Sequence, residues 1–174
     1  STISSYGESE QRELRLFRAE ARFLRALFYY HALDLFRNIP FVSENDPVGS
    51  YVPPRYTPAQ TVAFIESELN EIAPLMYSAR ECPYGRASRG AAYTLLAKLY
   101  LNAEVYTGTA DWADAKTYAK KVIDSPYKLY TTKKGQWSAY QQLFMGDNGE
   151  SSAAQEAVMP VLQDGVLTTS WACS

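Results

Sequence analysis

The sequence predicts an all-α fold: an array of two antiparallel helix pairs, then a mostly irregular tail with a short strand. Three observations carry that expectation. Apolar residues recur every three to four positions through residues 8–36 and again through 57–76, the period of a helix with one covered face. The stretch YGRASRGAAYTLLAKLYLNAEVYTG, Tyr84 to Gly108, has almost no charge after Arg89, so it predicts a central helix covered by others on most sides. After Pro126 the helical period stops, and segments rich in Gly and Ser take over.

The first helix is expected from near Glu8 to about Phe36. Leu14, Phe17, Ala21, Leu24, Phe28, His31 and Leu35 form one stripe, and Leu16, Phe23, Leu27 and Tyr30 an adjacent one. Arg15, Arg18, Arg22 and Arg25 share the remaining face, which further along carries Ala26, Tyr29, Leu33 and Phe36. The helix should therefore begin half exposed and end buried on all sides. Glu20 falls within the second stripe and needs a cationic partner, because a lone buried charge is costly. The next stretch, RNIPFVSENDPVGSYVPPRY, holds four prolines and reads as a loop, longer than most helix connections.

TPAQTVAFIESELNEIAPLM opens with strong start signals. Thr57 is the N-cap, Pro58 fits the first helical position, and Gln60 completes a capping box. Val62, Ile65, Leu69 and Ile72 make a narrow apolar stripe; Glu66, Glu68 and Glu71 sit on the polar face. In the third helix Ala87, Gly90, Thr94 and Ala97 form a face of small residues, and Thr94, Lys98 and Asn102 a wet edge. Asp111 caps the fourth helix, whose expected buried stripe is Trp112, Ala115, Ala119 and Val122. Beyond it the sequence predicts a short helix near Trp137–Phe144 and a strand in EAVMPVLQ. The expected division is a helical domain over 1–130 and an irregular segment over 131–174 leading to a missing C-terminal part.

Totals narrow the function. The chain has 174 residues, 21% charged and 47% apolar, an ordinary globular mix. The net charge is -2 and no basic run appears, which argues against nucleic acid as a partner. No segment approaches the ~20 apolar residues of a membrane span. Cys82 and Cys173 lack metal spacing and are either free or paired. The 14 Tyr residues are unusual; most are expected in packing, the rest on a surface that stacks on sugars or peptides.

Tyr93, Leu96, Ala97 and Tyr100 match the spacing of the first helix of a tetratricopeptide repeat, and Ala115, Ala119 and Val122 that of the second. The turn between them holds EVYTGTADW, so Tyr106 reads as a loop aromatic, and it is longer than the consensus. The fold class is thus a TPR-like array of two helix pairs. Several phrases then resemble one family in its own order. RAEARFLRALFYYHALDLFRNIPFV resembles the long helix and proline loop of SusD/RagB-type proteins. GRASRGAAYTLLAKLYLNAEVYTGTADWADAKTYAKKVIDSPYKLY resembles their central helix pair, and QEAVMPVLQD with TTSW the strand and loop that follow. The resemblance implies a non-catalytic, glycan-binding lipoprotein of the Bacteroidetes outer membrane, starch being the best-known ligand. It faces outward and sits on a TonB-dependent transporter (SusC-like). No cofactor, no metal and no nucleic acid is expected, and membrane contact would come only through a lipid anchor absent from this chain. The family's sugar-binding residues do not transfer by motif.

Candidate residues follow from side-chain chemistry. Trp137, Trp171, Tyr51 and Tyr106 are the expected sugar-stacking aromatics, since a flat exposed ring covers the apolar face of a pyranose; Trp112 is assigned to the core. Arg86 and Arg89 are candidates for an anionic ligand, but a structural ion pair of one of them with Glu20 is the preferred reading. Asp147, Asn148 and Glu150 lack a calcium-loop pattern and read as a solvated turn. His31 reads as a packed histidine. Glu66, Glu68 and Glu71 would suit a glycosidase, but their position predicts solvated carboxylates. Besides glycan capture, the helix pairs alone support a scaffold for a protein or peptide, with a glycoside hydrolase as a weaker third reading.

Overall fold

The computed structural model describes residues 3–47 and 49–163. Among these residues six α-helices carry the fold: α1 (Glu8–Phe36), α2 (Pro58–Ile72), α3 (Arg89–Leu101), α4 (Ala103–Thr107), α5 (Trp112–Ile123) and α6 (Ala139–Gln142). α1 packs on α2 and α3 on α5, giving the TPR-like array. Paired residues show that α1 and α2 run antiparallel. Arg22 meets Glu71, Arg25 meets Glu68, and Tyr29 meets Phe64.

The start signals work as chemistry requires. Thr57 Oγ1 accepts from the Gln60 N–H at 3.3 Å while Gln60 Oε1 accepts from the Thr57 N–H at 2.9 Å. Val62, Ile65, Leu69 and Ile72 are all buried and face Phe23, Leu33, Leu96 and Leu99 in a single core. α3 begins at its Ser88 N-cap, whose Oγ accepts from the Ala91 N–H. It breaks at Asn102 and resumes as α4, which Gly108 closes in the left-handed region at φ 80°.

The proline loop is fastened at several points. Ile39–Pro40 (β1) pairs antiparallel with Arg55–Tyr56 (β2). Phe41 stacks on Tyr56 with centroids 4.1 Å apart, and Tyr29 and Phe64 pack against Phe41. The Tyr29 hydroxyl accepts from the Val42 N–H and so ties the loop to α1.

Several expectations are corrected. α1 buries the stripe of Leu16, Ala19, Phe23, Ala26, Tyr30 and Leu33, while Phe17, Leu24, Phe28, His31 and Leu35 lie on the exposed side. Both stripes have helical period, and α2 and α3 reach only one of them. The end of α1 is therefore not buried on all sides: Leu35 and Phe36 are each 71% exposed. His31 is exposed and contacts only the edge of Tyr30 among the described rings. Trp112 is 63% exposed, because α5 has α3 on one side and offers it Ala115 and Tyr118 instead. Glu156–Gln163 forms no strand; with no partner strand among the described residues and with Pro160 in its middle, it follows a 3-10 turn at Ser152–Gln155 as irregular chain.

The polar face of α2 is corrected as well. Glu68 is buried and receives Arg22 Nη2 at 2.7 Å and Arg25 Nη2 at 2.8 Å. Arg22 also forks onto Glu71, and Arg25 Nη1 reaches Glu44 in the loop. Glu66 accepts from the Tyr100 hydroxyl at 2.8 Å, which links α2 to α3. The hydrogen bonds from Arg22 hold the Glu68 and Glu71 carboxyls below the usual range, against a smaller opposing effect of burial.

Two predictions follow from this packing. Arg22 holds the folded Glu68 carboxyl below the ordinary carboxylate range, so its stabilisation is present above the unfolded pKa and is lost as pH falls through the folded value. Thermal melts from about pH 7 to about pH 3 should show falling stability, and Glu68→Gln should lose about 1–3 kcal/mol at neutral pH and flatten that pH dependence. A Glu68→Gln profile parallel to wild type would remove Glu68 as a source of the pH dependence. The second concerns Gly90, where an added Cβ would lie 2.5 Å from Tyr127 Cε2. That ring is pinned by the 2.8 Å hydrogen bond between the Tyr127 and Ser88 hydroxyls. Overpacking costs about 1–3 kcal/mol, more than the helix-propensity gain of at most ~1 kcal/mol. Gly90→Ala should therefore destabilise, and chemical denaturation of Gly90→Ala with Tyr127→Leu should show less loss than the sum of the single variants.

Candidate functional site

The tail after α5 is held against the helices before it presents any ligand-facing group. Tyr127 bonds Ser88 at the start of α3, and the Tyr130 N–H donates to Glu156 Oε2 at 2.7 Å. Buried Tyr130 donates its hydroxyl to buried Gln142 Oε1 at 3.1 Å, and Gln142 Nε2 donates to the Thr132 carbonyl at 2.9 Å. This polar knot fixes α6 against the strand-like chain that precedes it.

Trp137 sits on that frame. Lys134 and Trp137 exchange both backbone hydrogen bonds, at 3.1 and 3.2 Å, across a two-residue turn. Gly135 allows the turn by adopting φ 61°. Ser138 then caps α6, with Gln141 completing a capping box. The indole is 44% exposed and borders a cleft of about 440 Å³ lined also by Lys134, Gln142, Met145, Asp147 and Ser151. Asp147 lies 3.9 Å from the Lys134 ammonium. The cleft thus sets one flat apolar face beside an ammonium and a carboxylate, while the Gln142 amide and the Ser151 hydroxyl in its wall are bonded within the chain. That combination suits a polyol ring, which offers an apolar face and a rim of hydroxyls.

The other sequence candidates go elsewhere. Tyr106 is only 5% exposed, on α4 rather than a loop, and donates its hydroxyl to Asp34 Oδ1 at 2.8 Å. Burial, reinforced by Asp34, pushes its pKa up. A stacking role for Tyr106 is thereby corrected: its ring has no free face. Tyr51 lies partly exposed in the proline loop, beside Asp46, and is not part of the Trp137 cleft. Trp171 and Cys173 lie outside the described residues. Cys82 is a free thiol whose pKa is raised by burial.

Arg86 and Arg89 separate in role. Arg86 Nε donates to Glu20 Oε1 at 2.9 Å, and its guanidinium lies over the Phe17 ring at 4.9 Å. Arg89 instead donates to the carbonyls of Ala73 and Pro74 at the end of α2. It closes helix-end acceptors rather than pairing with Glu20. Asp147, Asn148 and Glu150 form a turn in which Asn148 Nδ2 donates to the Leu143 carbonyl at 2.6 Å. Among the described residues no group of three or more His, Cys, Asp or Glu side chains is arranged to hold a metal ion. No helix of the structure is long and apolar enough to cross a membrane among those residues.

The sequence displayed Trp137 but not its companions. Lys134, Gln142 and Ser151 carry no motif, and Asp147 was visible only as part of a turn. The Ser138–Gln141 capping box was the one available signal that the chain around Trp137 is structured.

Comparison with known proteins places the helix array. Residues 1–101 match the SusD-like family model described as starch-binding and associating with the outer membrane. Over 155 residues the chain is 46% identical to the starch-binding protein SusD of Bacteroides thetaiotaomicron, an alignment covering 88% of this chain and 26% of SusD. A SusD-like protein from Bacteroides fragilis superposes with a TM-score of 0.66 at 22% identity, over 88% of this chain and 28% of that one. That likeness speaks to the fold alone. Surface glycan-binding protein A from Bacteroides uniformis gives a TM-score of 0.55 at 27% identity, over 72% of this chain and 28% of that one. The chain spans about a quarter of the length of these relatives. With the family model covering more than half of its residues and the same helix array in its structural relatives, the chain belongs to the SusD-like family.

Proposed function

We propose that this chain is part of a non-catalytic glycan-binding component of an outer-membrane uptake system. The observation that carries the reading is the 46% identity to a starch-binding protein across 88% of the chain. The full-length protein captures starch-type oligosaccharides at the cell surface, facing outward on a lipid anchor. It passes them to a TonB-dependent transporter of the SusC type. Within this chain the Trp137 cleft is the sugar-contacting surface, with the indole stacking on a pyranose and Lys134 and Asp147 bonding its hydroxyls. Tyr51 and Trp171 are further contacts of the same kind.

The electrostatics favour binding over hydrolysis. A glycosidase needs one carboxyl group held protonated near neutral pH. Arg22 does the reverse for the two α2 carboxylates it bonds, favouring the ionised form of both Glu68 and Glu71.

Isothermal titration of the full-length protein with a malto-oligosaccharide tests the reading. Trp137→Ala should weaken binding about tenfold, the loss expected for one stacked aromatic ring. Unchanged affinity in Trp137→Ala would move the site to other aromatics. A full-length protein that binds neither this sugar nor other glucans would overturn the reading itself.

A further inference from the structure

The short helix that Trp137 leads into carries two more exposed rings. Tyr140 of α6 is 70% exposed, and Phe144, just past the end of α6, is 72% exposed. They pack edge to face, with centroids 5.2 Å apart and planes at 63°. Each ring therefore fixes the other while most of its surface stays bare. The inner side of α6 is occupied otherwise: buried Gln142 takes the Tyr130 hydroxyl and donates to the Thr132 carbonyl. The Tyr140 hydroxyl has no hydrogen-bond partner among the described residues.

The N–H groups of Leu143, Phe144 and Met145 donate to the carbonyls of Tyr140, Gln141 and Gln142, so the helical path continues beyond α6 in 3-10 form. Trp137, Tyr140 and Phe144 follow at intervals of three and four residues, the spacing of one helix side. At a rise of ~1.5 Å per residue this side chain series covers roughly 10 Å of chain path, more than one pyranose ring spans. Gln136, Ser138, Gln141 and Gly146, which flank the three rings, are all exposed. The rings thus rise from a polar surface, whereas a face that docks a helix presents a continuous apolar stripe. Separate flat faces in polar surroundings suit a ligand that repeats an apolar face and a hydroxylated rim, which is the chemistry of linked sugars. We propose that Tyr140 and Phe144 form a second sugar-stacking position continuous with the Trp137 cleft, so that the tail takes a chain of several pyranose units and not a single ring. The inference rests on the reading of the Trp137 cleft as a sugar-contacting surface.

Isothermal titration of the full-length protein with maltose and with maltoheptaose tests it. The double variant Tyr140→Ala, Phe144→Ala should bind maltoheptaose about tenfold more weakly than wild type and maltose equally well. Both rings are exposed, so the change spares the core. Trp137→Ala should weaken both sugars. A double variant with wild-type affinity for maltoheptaose would overturn the inference while Trp137→Ala still upheld the cleft. Equal losses on both sugars would overturn it as well, since the pair would then belong to the first position. A Trp137→Ala variant with unchanged affinity for both sugars would overturn the cleft reading, and this inference with it. Hydroxyl-radical footprinting, read by mass spectrometry, supplies an independent check. Maltoheptaose should protect Tyr140 and Phe144, and maltose should protect Trp137 alone. Rings already protected in the sugar-free protein would overturn the proposal, because protein and not sugar would then cover them.

Discussion

α3 lies along α5 on one side, against α2 and the 3-10 turn at Ala73–Leu75 on another, and touches α1 on a third. A helix can accept that many neighbours only if its backbone is closely approached, and the composition of α3 meets that condition. Gly90, Ala91 and Ala92 are buried at its start, where Tyr127 lies against Gly90 and Arg89 reaches back to the end of α2. Farther along, Leu95, Leu96 and Leu99 supply the bulk that fills the space between the helix pairs. Tyr100 then spans the remaining gap, donating to Glu66 of α2 while its ring stacks on Tyr118 of α5. One side chain therefore couples both helix pairs. Burial and Glu66 together push its pKa up, which keeps the phenol a donor.

Charge is arranged around this core rather than through it. Arg22 and Arg25 of α1 converge on Glu68, and Glu20 of the same helix takes Arg86 from the turn before α3. Each pair joins segments far apart in sequence and lies at the edge of the apolar contact, where partial hydration reduces the desolvation cost. These contacts specify register more than they add stability. A slide of α2 by one turn along α1 would leave the Val62–Ile72 stripe apolar-to-apolar but would strand Glu68 without its arginines. Glu44 extends the same network to the proline loop through Arg25.

What could be read in advance was what local chemistry dictates. The Thr57 cap, the α2 stripe and the covered character of α3 are each written within one or two helical turns. α1 was harder, because its two apolar stripes are equivalent in period and differ only in which neighbours arrive. Trp112 misled for a related reason: an aromatic at helical spacing marks an apolar face, but not whether the described part of the molecule covers that face. Tyr106 failed in the opposite sense. Its flanking Thr and Gly residues looked like loop, yet the chain resumes as a helix after Asn102 and turns the ring inward onto Asp34. The Trp137 cleft lies between these cases. Its aromatic was visible, but Lys134, Gln142 and Asp147 meet it only through the Gly135 turn and the Asn148–Leu143 bond.

The same division of labour explains how such a scaffold tolerates change. Trp137 projects from a turn whose backbone bonds are its own, and the turn is held to the array by a few hydrogen bonds, chiefly those of Tyr127, Tyr130 and Gln142. Substitutions at Lys134, Gln136 or Ser151 alter what the cleft presents without entering the core shared by α1, α2 and α3. Substitutions at Ser88 or Gly90 do the opposite, since the Tyr127 ring that leads into the tail rests on them. Under the proposed function, ligand preference can drift in the tail while the array stays constant. This is consistent with structural relatives that keep the helix array at 22% and 27% identity. At the start of α3 the limit is steric: a methyl group at Gly90 would lie 2.5 Å from the Tyr127 ring.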